Sequence, residues 1–170
     1  MVYKIGIIGP ESTGKTTLAK ELAERYKGIY VPEYAREFVE KKKAESEEWR
    51  VESITWDELC EIARHQIDQM KELTNERVNE LAIFDTELIV TKVWFDYAFG
   101  RVPEWLDEAI KQYPMDVYVI LYPDIPWVPD PARSNGSDEI RLELFERYKQ
   151  EVEALGIEHY LVKHKNTILT

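Results

Sequence analysis

Apolar residues in this chain fall in short runs separated by amphipathic stretches. Positions 2–8 are apolar and β-branched and stop at Gly9-Pro10, the pattern of a buried strand. From 15 to 27, Leu18, Leu22 and Tyr26 recur at helical spacing, and Gly28 closes the run. A short strand at 28–32 and a helix at 33–43 come next. The clearest helix covers 55–79. Thr55 and Glu58 form a capping box, and Leu59, Ile62, Ala63, Gln66, Ile67, Met70 and Leu73 follow the 3.6-residue period. A third strand at 81–84 ends at Asp85.

The run at 87–99 mixes two signals. Ile89, Val90 and Val93 favour a strand, but the spacing fits a mostly buried helix. A helix at 103–113 and a strand at 116–122 follow. Prolines 123, 126, 129 and 131 force a loop over 123–136. Ser137 caps a helix closed by Gly156, and 157–162 is the last strand. Strands alternate with helices throughout, which predicts an α/β fold with a five-stranded parallel sheet and helices on both faces.

Length and charge narrow the picture. A chain of 170 residues corresponds to one domain, here 1–170. Its net charge of −11 argues against a protein that coats nucleic acid. The single cysteine, Cys60, excludes an intrachain disulfide and reads as inert core. His65, His159 and His164 lack metal-ligand spacing. No run approaches the 18 or so apolar residues of a membrane span. The apolar N-terminal run is too short for a signal-peptide core, so a cytoplasmic protein with no membrane and no nucleic-acid partner is expected.

Chemistry enters at Gly9-Pro10-Glu11-Ser12-Thr13-Gly14-Lys15-Thr16, which fits GxxxxGK[ST] between a strand and a helix. Gly9 and Gly14 let the backbone curl around an anion. Amides from Ser12, Thr13 and their neighbours through Thr17, with the helix N-terminus, point at phosphates. Lys15 reaches the β- and γ-phosphates, and the Thr16 hydroxyl is a Mg²⁺ ligand. The expected cofactors are therefore ATP and Mg²⁺ on a P-loop NTPase fold of the nucleotide-kinase kind.

Other candidates follow from position. Asp85 ends a strand expected beside the first, where ligands bind, and is a metal or catalytic carboxylate; it can also cap a helix starting at Thr86. Glu33 follows the second strand and can take a proton from an acceptor hydroxyl, with Arg36 one turn on. The proline-rich loop, with Asp124, Trp127, Asp130 and Arg133, reads as a lid. Arg133, and Arg141 in the next helix, are expected to meet the transferring phosphoryl group. Trp94, Tyr97 and Trp127 are candidates for stacking on an aromatic base, although Trp94 reads first as core packing.

Four segments carry a resemblance: GPESTGKT at 9–16, PEYAREF at 32–38, FDTE at 84–87 with TKVW at 91–94, and YPDIPW at 122–127 running on to Arg133. In this order they resemble the ribosylnicotinamide kinase domain of bacterial NadR proteins and its AAA-type ATPase relatives. The resemblance implies ATP-dependent phosphorylation of nicotinamide riboside to nicotinamide mononucleotide in NAD salvage. That family usually fuses the domain to an adenylyltransferase and sometimes to a helix-turn-helix repressor; with the phosphate loop at residue 9 of 170, neither is expected here. Pro32 stands where the family is expected to carry a stacking Trp, so Trp94, Tyr97 or Trp127 would take that role. The function is expected to be phosphoryl transfer to a small nucleoside-type acceptor. The alternative is a nucleotide-dependent switch or accessory ATPase without a metabolite substrate.

Overall fold

The computed structural model describes residues 1–76, 80–129, 137–164 and 167–169. Five strands run parallel: β1 (Tyr3–Ile8), β2 (Ile29–Val31), β3 (Leu81–Asp85), β4 (Val117–Leu121) and β5 (Glu158–Lys163). A sixth, β6 (Thr167–Leu169), adds antiparallel to β5, and the sheet order is β2-β3-β1-β4-β5-β6. The five parallel strands match the sequence expectation. At three residues, β6 is too short to show a period-2 pattern and was not anticipated.

Six helices connect the strands among the described residues: α1 (Lys15–Arg25), α2 (Tyr34–Glu45), α3 (Trp56–Glu76), α4 (Leu88–Phe99), α5 (Glu104–Gln112) and α6 (Asp138–Leu155). A 3₁₀ turn, Val51–Ser53, precedes α3. The ambiguous run at 87–99 is helical over Leu88–Phe99, and six of those twelve residues are buried. Tertiary burial decides it, since β-branched side chains tolerate a helix when the helix is enclosed on most sides. The capping box forms as expected: Thr55 N–H donates to Glu58 Oε2 at 2.9 Å, and Glu58 N–H to Thr55 Oγ1 at 3.2 Å. The α3 expectation ran to 79; residues 77–79 lie outside the described residues.

The sheet has two unequal faces because side chains alternate along a strand. Ile7, Ile83 and Leu121 meet Ala19 and Ala23 of α1 on one face. Ile8, Phe84 and Ile120 face the larger core, built with residues of α2 to α6. Cys60 is buried there, and burial raises its thiol pKa, in keeping with an inert core role. This parity also fixes the site. Asp85 shares the face of Ile83, so it projects on the α1 side, and Tyr30, paired in register with Ile83, does the same.

Candidate active site

The phosphate loop joins the end of β1 to the start of α1. Gly9 is required by space: a Cβ there would lie 2.9 Å from the Leu121 carbonyl oxygen. Gly14 is required by conformation, with φ at 84° in the left-handed region. Ser12 is also left-handed, at 57°. Loop polar groups bond inward. Thr13 Oγ1 donates to the Pro10 carbonyl at 2.8 Å, and Lys15 Nζ donates to the same oxygen at 2.8 Å.

A cavity of about 230 Å³ opens from this loop. Gly9, Ser12, Thr13, Gly14, Lys15, Thr16, Thr17, Glu33, Arg36 and Trp94 all line it, so most residues picked from the sequence meet in one place. Much of the remaining lining is apolar: Val39, Val51, Ile54, Leu59, Ile62, Val90 and Leu144. Trp94 and Tyr148 form the aromatic part of the wall, and Trp94 hydrogen-bonds the Tyr148 hydroxyl. Tyr97 and Trp127 are not among the lining residues. Tyr97 instead stacks edge-on against Trp94 with Arg147 over its ring, and Trp127 Nε1 reaches Glu11 Oε2 at 3.4 Å. Pro32 is exposed.

Asp85 is almost fully enclosed, at 1% exposure. Its Oδ2 accepts from Thr16 Oγ1 at 2.6 Å and from the Tyr30 hydroxyl at 2.9 Å. Its Oδ1 has no hydrogen-bond partner among the described residues. A buried carboxylate oxygen with no donor is costly in the absence of a cation, and the set of hard oxygens on Thr16 and Asp85 suits Mg²⁺. Tyr30 was not singled out from sequence; nothing in a three-residue strand marks it until β2 is laid beside β3. Burial, then the Asp85 charge and hydrogen bond, raise the Tyr30 pKa, so its hydroxyl stays a donor.

Asp85 does not cap the following helix. That task falls to Glu87, whose carboxylate accepts from the Ile89 amide at 2.9 Å and from the Tyr118 hydroxyl at 3.2 Å. Burial pushes the Glu87 carboxyl up to about 7 against the pull of these bonds. Between the two acids, Thr86 holds a left-handed φ of 69°, unusual for a β-branched residue, and its buried hydroxyl has no partner among the described residues. Backbone strain of this kind clusters at functional sites.

Glu33 stands at the N-cap position of α2, but its side chain makes no cap bond. Its carboxylate borders the cavity with Lys15 and Arg36. Burial raises its pKa above the ordinary carboxylate range; Lys15 and Arg36 oppose the shift, and Asp85 and Glu11 add to it. A carboxylate tuned upward is better matched to taking a proton near neutrality.

The loop after β4 is fastened to the phosphate loop where it is described. Val128 N–H donates to Ser12 Oγ at 3.0 Å. Asp124 accepts from the His164 amide at 3.1 and 3.0 Å, tying the loop start to the end of β5. Asp130 and Arg133 lie outside the described residues. Arg141 departs from expectation. It is 1% exposed, does not line the cavity, and donates to backbone carbonyls of both loops. His65 stacks on Tyr34 at a centroid distance of 3.5 Å, and His159 contacts the Ile157 carbonyl. No histidine, cysteine and acid cluster with metal geometry occurs among the described residues. No described helix is long and apolar enough to cross a membrane.

The parallel sheet, the GxxxxGKT loop after β1 and the carboxylate ending β3 define a P-loop fold of the nucleotide-kinase type. A family model described as an AAA domain matches residues 4–167, and the chain belongs to that family. It is 27% identical over 165 residues to the trifunctional NAD biosynthesis/regulator protein NadR of Escherichia coli (strain K12), covering 97% of this chain and 39% of that protein. Against the NadR of Salmonella typhimurium the figures are 28% over 136 residues, 80% and 32%. The chain thus spans well under half the length of these curated relatives. A crystal structure of NadR with NAD and AMP-PNP superposes with a TM-score of 0.76 at 22% identity, covering 98% of this chain and 46% of that one. Deoxyadenosine kinase from M. mycoides superposes at 0.62 and 15% identity, covering 96% and 92%. At these identities the solved structures speak to the fold.

Proposed function

We propose that this chain is an ATP-dependent small-molecule kinase that phosphorylates a nucleoside-type acceptor, with nicotinamide riboside as the first candidate. The observation that carries the reading is the lining of the cavity. One cavity is lined both by the phosphate loop and by apolar and aromatic side chains, with Glu33 and Arg36 among its lining residues. A switch ATPase has no need for a second compartment beside its phosphate loop; a kinase needs one for the acceptor.

In this reading the acceptor hydroxyl oxygen attacks the γ-phosphorus in line. The new O–P bond forms as the bond to the β-phosphate oxygen breaks, and ADP leaves. Glu33 receives the hydroxyl proton or orients the hydroxyl. Lys15 moves from the Pro10 carbonyl to the phosphates, and loop amides hold the phosphate oxygens. Thr16 and Asp85 would hold Mg²⁺, which supplies charge neutralisation on the phosphates when bound. Arg133, by its place in the proline-rich loop, would meet the transferring group. Trp94 on the cavity lining, with Glu11 and Glu33 on the same cavity, suits a cationic aromatic ring such as the N-ribosylated pyridinium of nicotinamide riboside. NadR relatives support that choice by name, and Pro32 leaves the stacking task to Trp94.

The test is ADP release with a panel of ribonucleosides against a water-only control. ADP formation that requires nicotinamide riboside supports the full reading. Activity with other nucleosides alone leaves the kinase and removes the substrate. ADP release indifferent to every acceptor favours the switch ATPase.

A further inference from the structure

We propose that Arg141 is a positioning residue of the phosphate site, whose buried guanidinium turns two carbonyls of the phosphate loop toward itself and so aims the next two amides at the bound phosphates. The inference rests on the phosphate-loop part of the function proposed above and is independent of the acceptor.

The contacts are specific. Arg141 Nε donates to the Glu11 carbonyl at 3.1 Å, and Nη2 donates to the Ser12 carbonyl at 3.2 Å and the Ile125 carbonyl at 2.8 Å. Nη1 meets Asp138 Oδ1 at 3.3 Å, but that acid is 87% exposed on its side chain. A guanidinium this deeply enclosed ordinarily pairs with a buried carboxylate. Here three of four acceptors are backbone oxygens, two of them in the phosphate loop.

Peptide geometry gives those bonds a consequence. Among the described residues every peptide bond is trans, and in a planar trans peptide the N–H points opposite to the C=O. With the Glu11 oxygen drawn to Arg141, the Ser12 N–H points away from it. With the Ser12 oxygen drawn there too, so does the Thr13 N–H. Ser12 and Thr13 line the cavity, and the left-handed Ser12 supplies the alternation that makes successive amides converge on an anion. If either plane flipped, a carbonyl oxygen would face the phosphates and repel them. Arg141 therefore holds the anion-binding form of the loop before nucleotide arrives. Its third bond, to Ile125, ties that form to the loop after β4.

The experiment compares wild type with Arg141→Lys and Arg141→Met in the full chain. Lysine keeps the charge but lacks the fork that spans three oxygens. The readouts are ATP affinity by calorimetry without acceptor, and the amide resonances of Ser12 and Thr13 on adding pyrophosphate. Circular dichroism checks the fold, and Leu142→Ala on the exposed side of α6 is the control for general disturbance. Arg141→Lys is expected to weaken ATP binding about ten- to hundredfold, the range for a lost charged hydrogen bond. The Ser12 and Thr13 shifts should shrink or vanish, while Leu142→Ala matches wild type. Arg141→Met should weaken binding at least as much; if it does not fold, the lysine variant decides. Folded Arg141→Lys with wild-type affinity and wild-type Ser12 and Thr13 shifts would overturn the proposal. Wild type that binds ATP but phosphorylates no acceptor would overturn the kinase reading and leave this one standing.

Discussion

The Tyr30 hydroxyl donates to Asp85 Oδ2 at 2.9 Å, beside the Thr16 hydroxyl at 2.6 Å. Two donors on one oxygen fix the carboxylate plane and leave Oδ1 without a hydrogen-bond partner among the described residues. The Thr16 hydrogen is committed to Asp85, so the Thr16 lone pairs are available on another side. Tyr30→Phe removes one donor and keeps the ring. Such outer contacts are worth about 10–100-fold in metal affinity. The expected result is a Mg²⁺ requirement raised by about tenfold, with ATP binding in EDTA unchanged. Asp85→Asn should raise it further. A Mg²⁺ titration at saturating ATP checks both, and an unchanged Asp85→Asn curve would remove the metal role from Asp85.

Lys15→Ala should leave the fold intact, because Lys15 Nζ donates within its own loop, to the Pro10 carbonyl at 2.8 Å. Loss of an electrostatic donor at the transferring group costs about 10²–10³-fold in turnover. The variant should fall by at least that amount and bind ATP more weakly. Calorimetry and circular dichroism on one preparation test this; wild-type turnover would sink the phosphate-loop assignment.

Glu33 predicts a pH profile. Its folded pKa is raised, chiefly by burial, so its carboxylate form is lost on acidification at a pH above the ordinary carboxylate range. As general base it must be ionised, so kcat/KM should rise with pH through that raised value and level off above it. Glu33→Gln should lower kcat and abolish this acid limb while leaving the Mg²⁺ requirement alone. A wild-type profile flat across that range would mean that Glu33 positions the hydroxyl without taking its proton.

Trp94→Ala tests the acceptor end. Stacking on a base is worth about 1–3 kcal/mol, so KM for the acceptor should rise about five- to hundredfold. The KM for ATP should stay near wild type. Tyr97→Ala, outside the cavity lining, is expected to change neither.

The local elements were legible from residues 1–170 because local rules govern them. The phosphate loop is one contiguous stretch, flanked by a run of apolar residues and an amphipathic run, and glycines at 9 and 14 satisfy constraints within that stretch. Glu33 and Asp85 could be picked out because one follows a strand and the other ends one, and strand ends are where a parallel sheet binds ligands. That the strands run parallel also followed from the alternation of strands and helices.

Tertiary structure decided what depends on register and burial between distant segments. Tyr30 reaches Asp85 only because β2 lies beside β3 with Tyr30 opposite Ile83, placing both side chains on the α1 face. Arg141 looked like a helix cation bound for the nucleotide. Its burial under two loops 16 and about 130 residues away gave it carbonyls to hold instead. Asp85 was open to a capping role until the helix was seen to start at Leu88, with Glu87 as its cap. Hydrogen-bond partners far apart in sequence are set by how the sheet and helices close on one another, and a linear pattern carries periodicity but not that closure.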